Sequence, residues 1–358
     1  MNLWKHATKW DAPPREDAVT LGEGATPLVR SRVIGPALGL KNLWFKVEGG
    51  NPTGSYKDRF AAAAVTHLKR EGRVACLGTS SGNTGAALAA YCARAGIRCF
   101  LAIVEGAPEG KLRQMRAYGA QLIRIKNFGS SPAVIDEVMV GLRSLASELG
   151  AGFEVSAFCF SPRGMAGVET MGLEIAEALA GERFSVFSPA GGGGLTLAVA
   201  RGVKSWGGAG RVHCVQPAGN DTIASRLRAG ANHAVATPST TSISGLQVGS
   251  VLDGDAVIAA CRGLGGTGYV VADETVWSWQ ARLAREEGIF SEPAGAVALA
   301  GVEQALARGE IAPDEHAVCL VTGSGFKDER SLMRMTGEAP TPLVERFADF
   351  AQAVRVGL

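Results

Sequence analysis

The chain has little of what would announce several common function classes. Aromatic residues make up 6% of it, and none is interleaved with a basic run, so a nucleic-acid groove is not indicated. Its 36 Lys and Arg nearly balance its 34 Asp and Glu, giving a net charge of +2 spread along the chain. No apolar stretch approaches the ~18 residues needed to span a membrane, and the N-terminus lacks the apolar core of a secretory leader. Only five histidines occur, scattered from His6 to His316. The seven cysteines are odd in number and form no C-x-x-C pair. No Cys/His group has ligand spacing, so buried thiols in a reducing compartment are expected rather than a metal site. A soluble cytoplasmic protein with no membrane or nucleic-acid partner and no metal follows.

What is plentiful is glycine, 48 residues, and small aliphatics within a hydrophobic content of 46%. At about 100–200 residues per domain, 358 residues predict two domains. Short apolar runs alternate with helical segments almost throughout. Strands are expected at Asn42–Glu48, Val74–Leu77, Arg98–Val104, Gln121–Ile125, Phe153–Phe158, Phe184–Phe187, Val212–Gln216, Tyr269–Ala272 and Ala317–Thr322. Helices are expected at Lys57–Arg70, Asn83–Ala95, Glu109–Tyr118, Ala133–Glu148, Val168–Leu179, Glu274–Glu287 and Pro293–Ala307. This alternation predicts an α/β protein with mainly parallel sheets. Residues 230–253 read as loop over a site, and the amphipathic stretch Leu343–Val354 as a helix packed on its own core.

Four segments carry chemistry. In Lys46-Val-Glu-Gly-Gly-Asn-Pro-Thr-Gly-Ser-Tyr-Lys-Asp-Arg a strand turns into a helix whose first turn holds Lys57. A cation is disfavoured there by the macrodipole, and the same field lowers its pKa, which suits a nucleophile or base. Read alone, a solvated surface lysine fits equally. Gly78-Thr-Ser-Ser-Gly-Asn-Thr-Gly offers backbone N–H groups and hydroxyls at a helix start, an anion site beyond what one capping residue explains. Gly191-Gly-Gly-Gly follows a strand and opens a helix, as a phosphate-binding loop does. It lacks the G-x-x-x-x-G-K-[ST] of a Walker site. Val321-Thr-Gly-Ser-Gly-Phe-Lys-Asp lies at the carboxyl end of a strand, where ligands of open sheets bind, though alone it reads as a strand-to-turn junction.

Together these segments resemble the threonine synthase family of fold-type-II pyridoxal-phosphate enzymes, in the tryptophan-synthase β-like superfamily. Asn51-Pro-Thr-Gly-Ser-Tyr-Lys-Asp-Arg is similar to the family's cofactor-lysine motif, and Ser81-Gly-Asn-Thr-Gly to its asparagine loop. The glycine run resembles its phosphate cup, and Thr322-Gly-Ser-Gly-Phe-Lys-Asp its C-terminal motif. Gly22-Glu-Gly-Ala-Thr-Pro-Leu and the stretch Gly110-Lys-Leu-Arg-Gln-Met-Arg-Ala-Tyr-Gly-Ala add to the match, which runs from Leu21 to about Asp328.

The resemblance implies two open twisted α/β domains with pyridoxal 5′-phosphate in the cleft between them. One would comprise residues 1–60 plus 165–358, the other residues 61–164. It implies Lys57 as the Schiff-base lysine and Asn83 at the cofactor's ring hydroxyl. Gly191, Gly192, Gly193 and Gly194 would hold its phosphate, with Thr322 at the pyridine nitrogen. It implies Ser80, Ser81, Gly82 and Thr84 at the substrate carboxylate, and Lys111 and Arg163 as further substrate contacts. A homodimer acting on a small amino acid is the family habit.

The run Ser161-Pro-Arg-Gly-Met-Ala-Gly-Val-Glu-Thr departs from the family's Asn-Pro-x-Arg-x-Glu-Gly-Gln-Lys-Thr, with Ser161 for the asparagine and Glu169 at the lysine position. Ser244-Gly-Leu-Gln-Val-Gly replaces a usual arginine and looks more like the dehydratase branch. Three readings stay open on the sequence: threonine synthase acting on O-phospho-L-homoserine; a β-eliminating or β-replacing enzyme such as a serine/threonine dehydratase, ammonia-lyase or cysteate-synthase-like enzyme; and a non-catalytic amino-acid sensor.

Overall fold

A computed structural model describes residues 3–80, 82–207, 209–337 and 341–357. The first part of the chain forms β1 (Leu28–Arg30), α1 (Ile34–Ala37), β2 (Asn42–Val47) and α2 (Lys57–Arg70). Then come β3 (Ala75–Thr79), α3 (Asn83–Ala95), β4 (Arg98–Val104), α4 (Glu109–Ala117), β5 (Gln121–Ile125), α5 (Pro132–Glu148) and β6 (Gly152–Glu154). After α6 (Pro162–Ala178) follow β7 (Phe184–Pro189), α7 (Gly194–Trp206), β8 (Gly210–Pro217), α8 (Ala224–Arg228), α9 (Gly254–Gly263) and β9 (Gly268–Val271). The chain continues through α10 (Asp273–Glu287), α11 (Val297–Ala307), β10 (His316–Val321), α12 (Glu329–Thr336) and α13 (Phe347–Gly357).

The strands form two sheets, one ordered β1-β2-β10-β7-β8-β9 and one ordered β5-β4-β3-β6. Every pairing is parallel except that of β1 with β2. All strands of the smaller sheet lie within residues 61–164, and all strands of the larger lie outside that range. Strands covered on both faces are apolar throughout, and residues 317–321 of β10 are all buried.

The order β2-β10-β7 positions the site. Three parallel strands side by side end at the same edge. So the turn into Lys57, the segment after Val321 and the glycine run after Pro189 become neighbours there. Small residues let the helices behind them approach closely. Ala61, Ala62, Ala63 and Ala64 are all buried on α2. A Cβ on Gly167 of α6 would lie 2.4 Å from the Arg59 carbonyl oxygen, so only glycine permits that crossing.

A buried ion cluster fixes the start of α2. The Arg59 guanidinium donates to Glu48 (2.8 and 2.9 Å) and to Glu174 of α6 (2.7 and 2.8 Å). Lys46 of β2 donates to Glu174 at 2.6 Å. Two cations meet two anions, with Thr26, Thr170 and Asn51 completing the hydrogen bonds. Burial alone would raise the Glu174 carboxyl, but Arg59 and then Lys46 outweigh it and hold it at about 2.

Some elements differ from the expectations. The strand expected over Phe153–Phe158 stops at Glu154, because the Val155 N–H donates to Ser161 Oγ (2.9 Å) instead of to a neighbouring strand. Helix α6 begins at Pro162 rather than Val168, with proline in the first turn, where its missing N–H costs nothing. Strand β1 and helices α1, α8, α9 and α12 were not anticipated. The C-terminal helix exists but does not pack on the core: no residue of α13 is buried, and Phe347 is 80% exposed. Its amphipathic pattern has no facing apolar surface in the single chain. All seven cysteines are free, and all but Cys159 are buried. Among the described residues no helix is long and apolar enough to cross a membrane, and no His/Cys/Asp/Glu group could hold a metal ion.

Glu174→Gln should cost about 3 kcal/mol at neutral pH, the usual loss when one partner of a buried ion pair is removed, measurable by urea unfolding. The native carboxyl lies below its ordinary value, so its contribution is present above about pH 5 and lost as pH falls toward 2. The variant should therefore lose less stability than the parent over that acid range.

Candidate active site

Lys57 is the first residue of α2, at the positive end of that helix. Nζ lies 2.7 Å from Ser156 Oγ and 4.5 Å from the centre of the Tyr56 ring. Removal from water lowers its pKa to about 8, against the opposing fields of Glu292 and Asp253. Two residues fix the turn before it: the Thr53 N–H and hydroxyl donate to Asp58, at 3.1 and 2.9 Å to Oδ2.

The segment after β10 is stitched to this turn on one side and to residues 290–292 on the other. Tyr56 N donates to the Thr322 carbonyl at 3.0 Å, and Ser324 N to that of Gly54 at 2.9 Å. Glu292 N donates to the Gly323 carbonyl at 3.1 Å. Thr322 and Asn83 meet on one carboxyl group. Thr322 Oγ1 donates to Glu292 Oε1 at 3.1 Å, and Asn83 Nδ2 to Oε1 and Oε2 at 3.1 and 3.0 Å. Glu292 is buried, which pushes its pKa up against those two hydrogen bonds and the nearby Lys327 and Lys111.

The glycine run lies between β7 and α7. Gly193 adopts φ +99°, a conformation few other residues take. A Cβ there would lie 2.7 Å from Val257, and one on Gly192 would lie 2.9 Å from Leu252. Residues 245–253 therefore close over the loop, as expected for the polar stretch 230–253. Asp253 holds this cover in place. Its N–H donates to the Gly192 carbonyl (3.1 Å), while its carboxylate accepts from Phe158 N (2.8 Å) and Cys159 N (3.0 Å).

Opposite stands the N-terminus of α3. The Gly82 N–H donates to Ser80 Oγ at 3.2 Å, and Thr84 is buried one residue after Asn83. Ser81 lies outside the described residues. Lys111 of α4 reaches across to the other sheet's loops, donating to Ser244 Oγ and, at 3.4 Å, to Asp328. Arg163 is not brought into this group. It is half exposed and pairs with Glu71, just past the far end of α2, at 2.5 Å. Glu169, where the family pattern has lysine, is raised to about 7 by burial, with Arg201 3.6 Å away.

Comparison with known proteins identifies the family and the fold. Residues 19–323 match the family described as pyridoxal-phosphate dependent enzyme. The chain belongs to that family. The threonine synthase of Methanocaldococcus jannaschii is 32% identical, the match covering 94% of this chain and 84% of that protein. That of Halalkalibacterium halodurans is also 32% identical, over 95% and 93%. Among solved structures, the processed form of threonine deaminase isoform 2 from Solanum lycopersicum superposes with a TM-score of 0.76 at 24% identity, covering 95% and 94%. Diaminopropionate ammonia lyase from Escherichia coli gives 0.77 at 18%, over 94% and 93%. These likenesses show the fold, that of the fold-type-II pyridoxal-phosphate enzymes.

The residues fit the family's cofactor. A cup that admits no side chain opens at the positive end of α7, as a phosphate requires. An amine of lowered pKa stands in the same cleft. Glu292 was not read from the sequence. The signal was there, since Ile289-Phe-Ser-Glu-Pro-Ala-Gly-Ala-Val is an apolar run with one acid inside it. Ser156 and Asp253 carried no comparable signal.

If the Lys57 amine bonds the cofactor, uptake by the apoprotein requires its neutral form. Its rate should rise about tenfold per pH unit below pH 8 and level off there, well short of the ordinary lysine value; absorbance-monitored loading against pH tests this. Glu292→Ala should orphan Asn83 Nδ2 and Thr322 Oγ1, weakening cofactor affinity about tenfold (~1–2 kcal/mol) in equilibrium titration.

Proposed function

We propose that this pyridoxal-phosphate lyase converts O-phospho-L-homoserine and water into L-threonine and phosphate. One observation carries the reading. Lys111 extends from α4 to Ser244 and Asp328 on the loops of the larger sheet, and a cation there supports a substrate whose side chain is anionic. The 32% identity to threonine synthases over about 95% of the chain supports it.

Bound pyridoxal phosphate supplies an aldehyde for an amine and a ring that withdraws electrons from the substrate α-carbon. Lys57 would hold it, Gly191 to Gly194 would cradle its phosphate, and Asn83 and Thr322 would flank its ring. The Lys57 amine, neutral above about pH 8, takes the α-proton and returns protons later in the cycle. Ser80, Gly82 and Thr84 at the start of α3, with Ser81 of the same motif, would hold the substrate carboxylate. With pyridoxal phosphate bound, Thr322 would offer a neutral hydroxyl rather than a charged partner to the ring nitrogen. That choice limits the electron withdrawal and favours elimination and replacement over transamination. Closure of the α4 side onto Ser244 and Asp328 keeps water out except where it is a reactant.

A second reading has its own observation. Arg163 is held by Glu71, and Glu169 stands where a lysine would help bind phosphate. A substrate without phosphate, cleaved by β-elimination or β-replacement, needs neither cation.

The assay is phosphate release from O-phospho-L-homoserine by the cofactor-loaded protein, with Lys57→Ala as control. Phosphate and threonine in equal amounts, with KM raised about tenfold or more in Lys111→Ala, are expected. Absence of phosphate release, with ammonia or keto acid formed from serine or threonine, establishes the second reading instead.

A further inference from the structure

The Lys57 amine has one hydrogen-bond partner among the described side chains, Ser156 Oγ at 2.7 Å. Ser156 in turn lies 3.5 Å from the sulfur of Met165, in the first turn of α6. A thioether sulfur has no proton to give and can only accept. The serine proton therefore points to sulfur, and the oxygen turns its lone pairs toward Lys57. The amine contributes an N–H to this contact, and its own lone pair stays uncovered.

The surroundings hold this arrangement in place. Met165 is fully buried, and its methyl group would lie 3.1 Å from a Cβ on Gly194, so the thioether is wedged against the glycine cup. The loop carrying Ser156 is pinned from both ends. Asp253 accepts from Phe158 N and Cys159 N, and Ser161 Oγ accepts from Val155 N. These bonds fix the backbone on both sides of Ser156, so its Oγ is presented between Lys57 Nζ and the Met165 sulfur.

We propose that Met165 and Ser156 form a polarity-setting pair for Lys57, with Met165 holding the serine proton so that Ser156 receives a hydrogen bond from the amine and leaves its lone pair free to react. Ser156 is the group in contact with the reacting nitrogen, and Met165 is a positioning residue that acts through it. The consequence concerns nucleophilicity and not only charge. A hydroxyl donating to the amine would favour its neutral form while covering the electron pair that must do the work. A hydroxyl accepting from it does neither. The inference deepens the reading of Lys57 as the cofactor-bonding base and rests on it.

The test uses the apoprotein and does not depend on turnover. Trace labelling with acetic anhydride across pH, read at the Lys57 peptide by mass spectrometry, gives two quantities: the midpoint for deprotonation and the plateau reactivity. Acylation forms the N–C bond from the amine lone pair and expels acetate, so the plateau reports whether that pair is accessible.

Ser156→Ala removes the acceptor that favours the ammonium, so the midpoint should fall while the plateau stays within about twofold of the parent. Met165→Leu conserves volume but frees the serine proton to turn onto the amine. Its plateau should drop about fivefold or more. The double variant has no hydroxyl left to cap the amine, and its plateau should return to that of Ser156→Ala. Loss of packing alone would not be repaired by a second truncation. An unchanged plateau in Met165→Leu, an unshifted midpoint in Ser156→Ala, or a double variant as slow as Met165→Leu overturns the proposal. Cofactor loading that persists in Lys57→Ala would instead overturn the role of Lys57 and leave the hydrogen-bond result standing.

Discussion

The site depends on one buried cation. Arg59 stands two residues after Lys57 and is fully buried, its guanidinium shared between Glu48 and Glu174. Glu48 follows β2 directly, and Glu174 belongs to α6. The first turn of α2 is thus tied to a strand end and to a second helix by charge-assisted bonds in a fixed planar geometry. A lysine whose reactivity depends on contacts of a few tenths of an ångström needs such an anchor. Breaking a buried pair costs far more than loosening a surface contact, so this end of the helix does not fray.

From that anchor the rest of the site follows by topology. Strands β2, β10 and β7 are adjacent and parallel, so their ends deliver the Lys57 turn, Thr322 and the glycine cup to one edge. The smaller sheet brings Asn83 and Lys111 from the other side. Between them, polar groups satisfy one another: Asn83 and Thr322 on Glu292, Lys111 on Ser244 and Asp328. The contact of Lys111 with Ser244 and Asp328 is thus polar, a hydrogen bond and an ion pair between α4 and the loops of the larger sheet.

Much of this was legible in the chain. Lys57–Arg70, Asn83–Ala95 and Gln121–Ile125 coincide with their expected bounds, because each is delimited by turn or capping residues and filled by a clear period. The glycine run was recognisable because four glycines between a strand and a helix have few other uses. The short helices at Ala224–Arg228 and Gly254–Gly263 were not legible, since a brief apolar period amid loop residues is weak locally and is stabilised by packing, the first mainly on β9 and the second on α7 and β8. The C-terminal helix was misjudged for the opposite reason. Its amphipathic pattern is strong, but a pattern states which face seeks cover and not whether cover exists.

The sequence by itself determined the alternation of strands and helices, the small-residue helix contacts and the motifs that resemble those of the pyridoxal-phosphate enzymes, because these rest on local spacing and residue size. Tertiary structure alone decided which groups face one another. It placed Glu292 between Asn83 and Thr322, turned Arg163 toward Glu71, and set Ser156 and Met165 against Lys57. Those partners lie far apart along the chain or sit in segments with no pattern of their own. A side chain's hydrogen-bond role is set by what surrounds it in space, and that information exists only once the sheets are assembled.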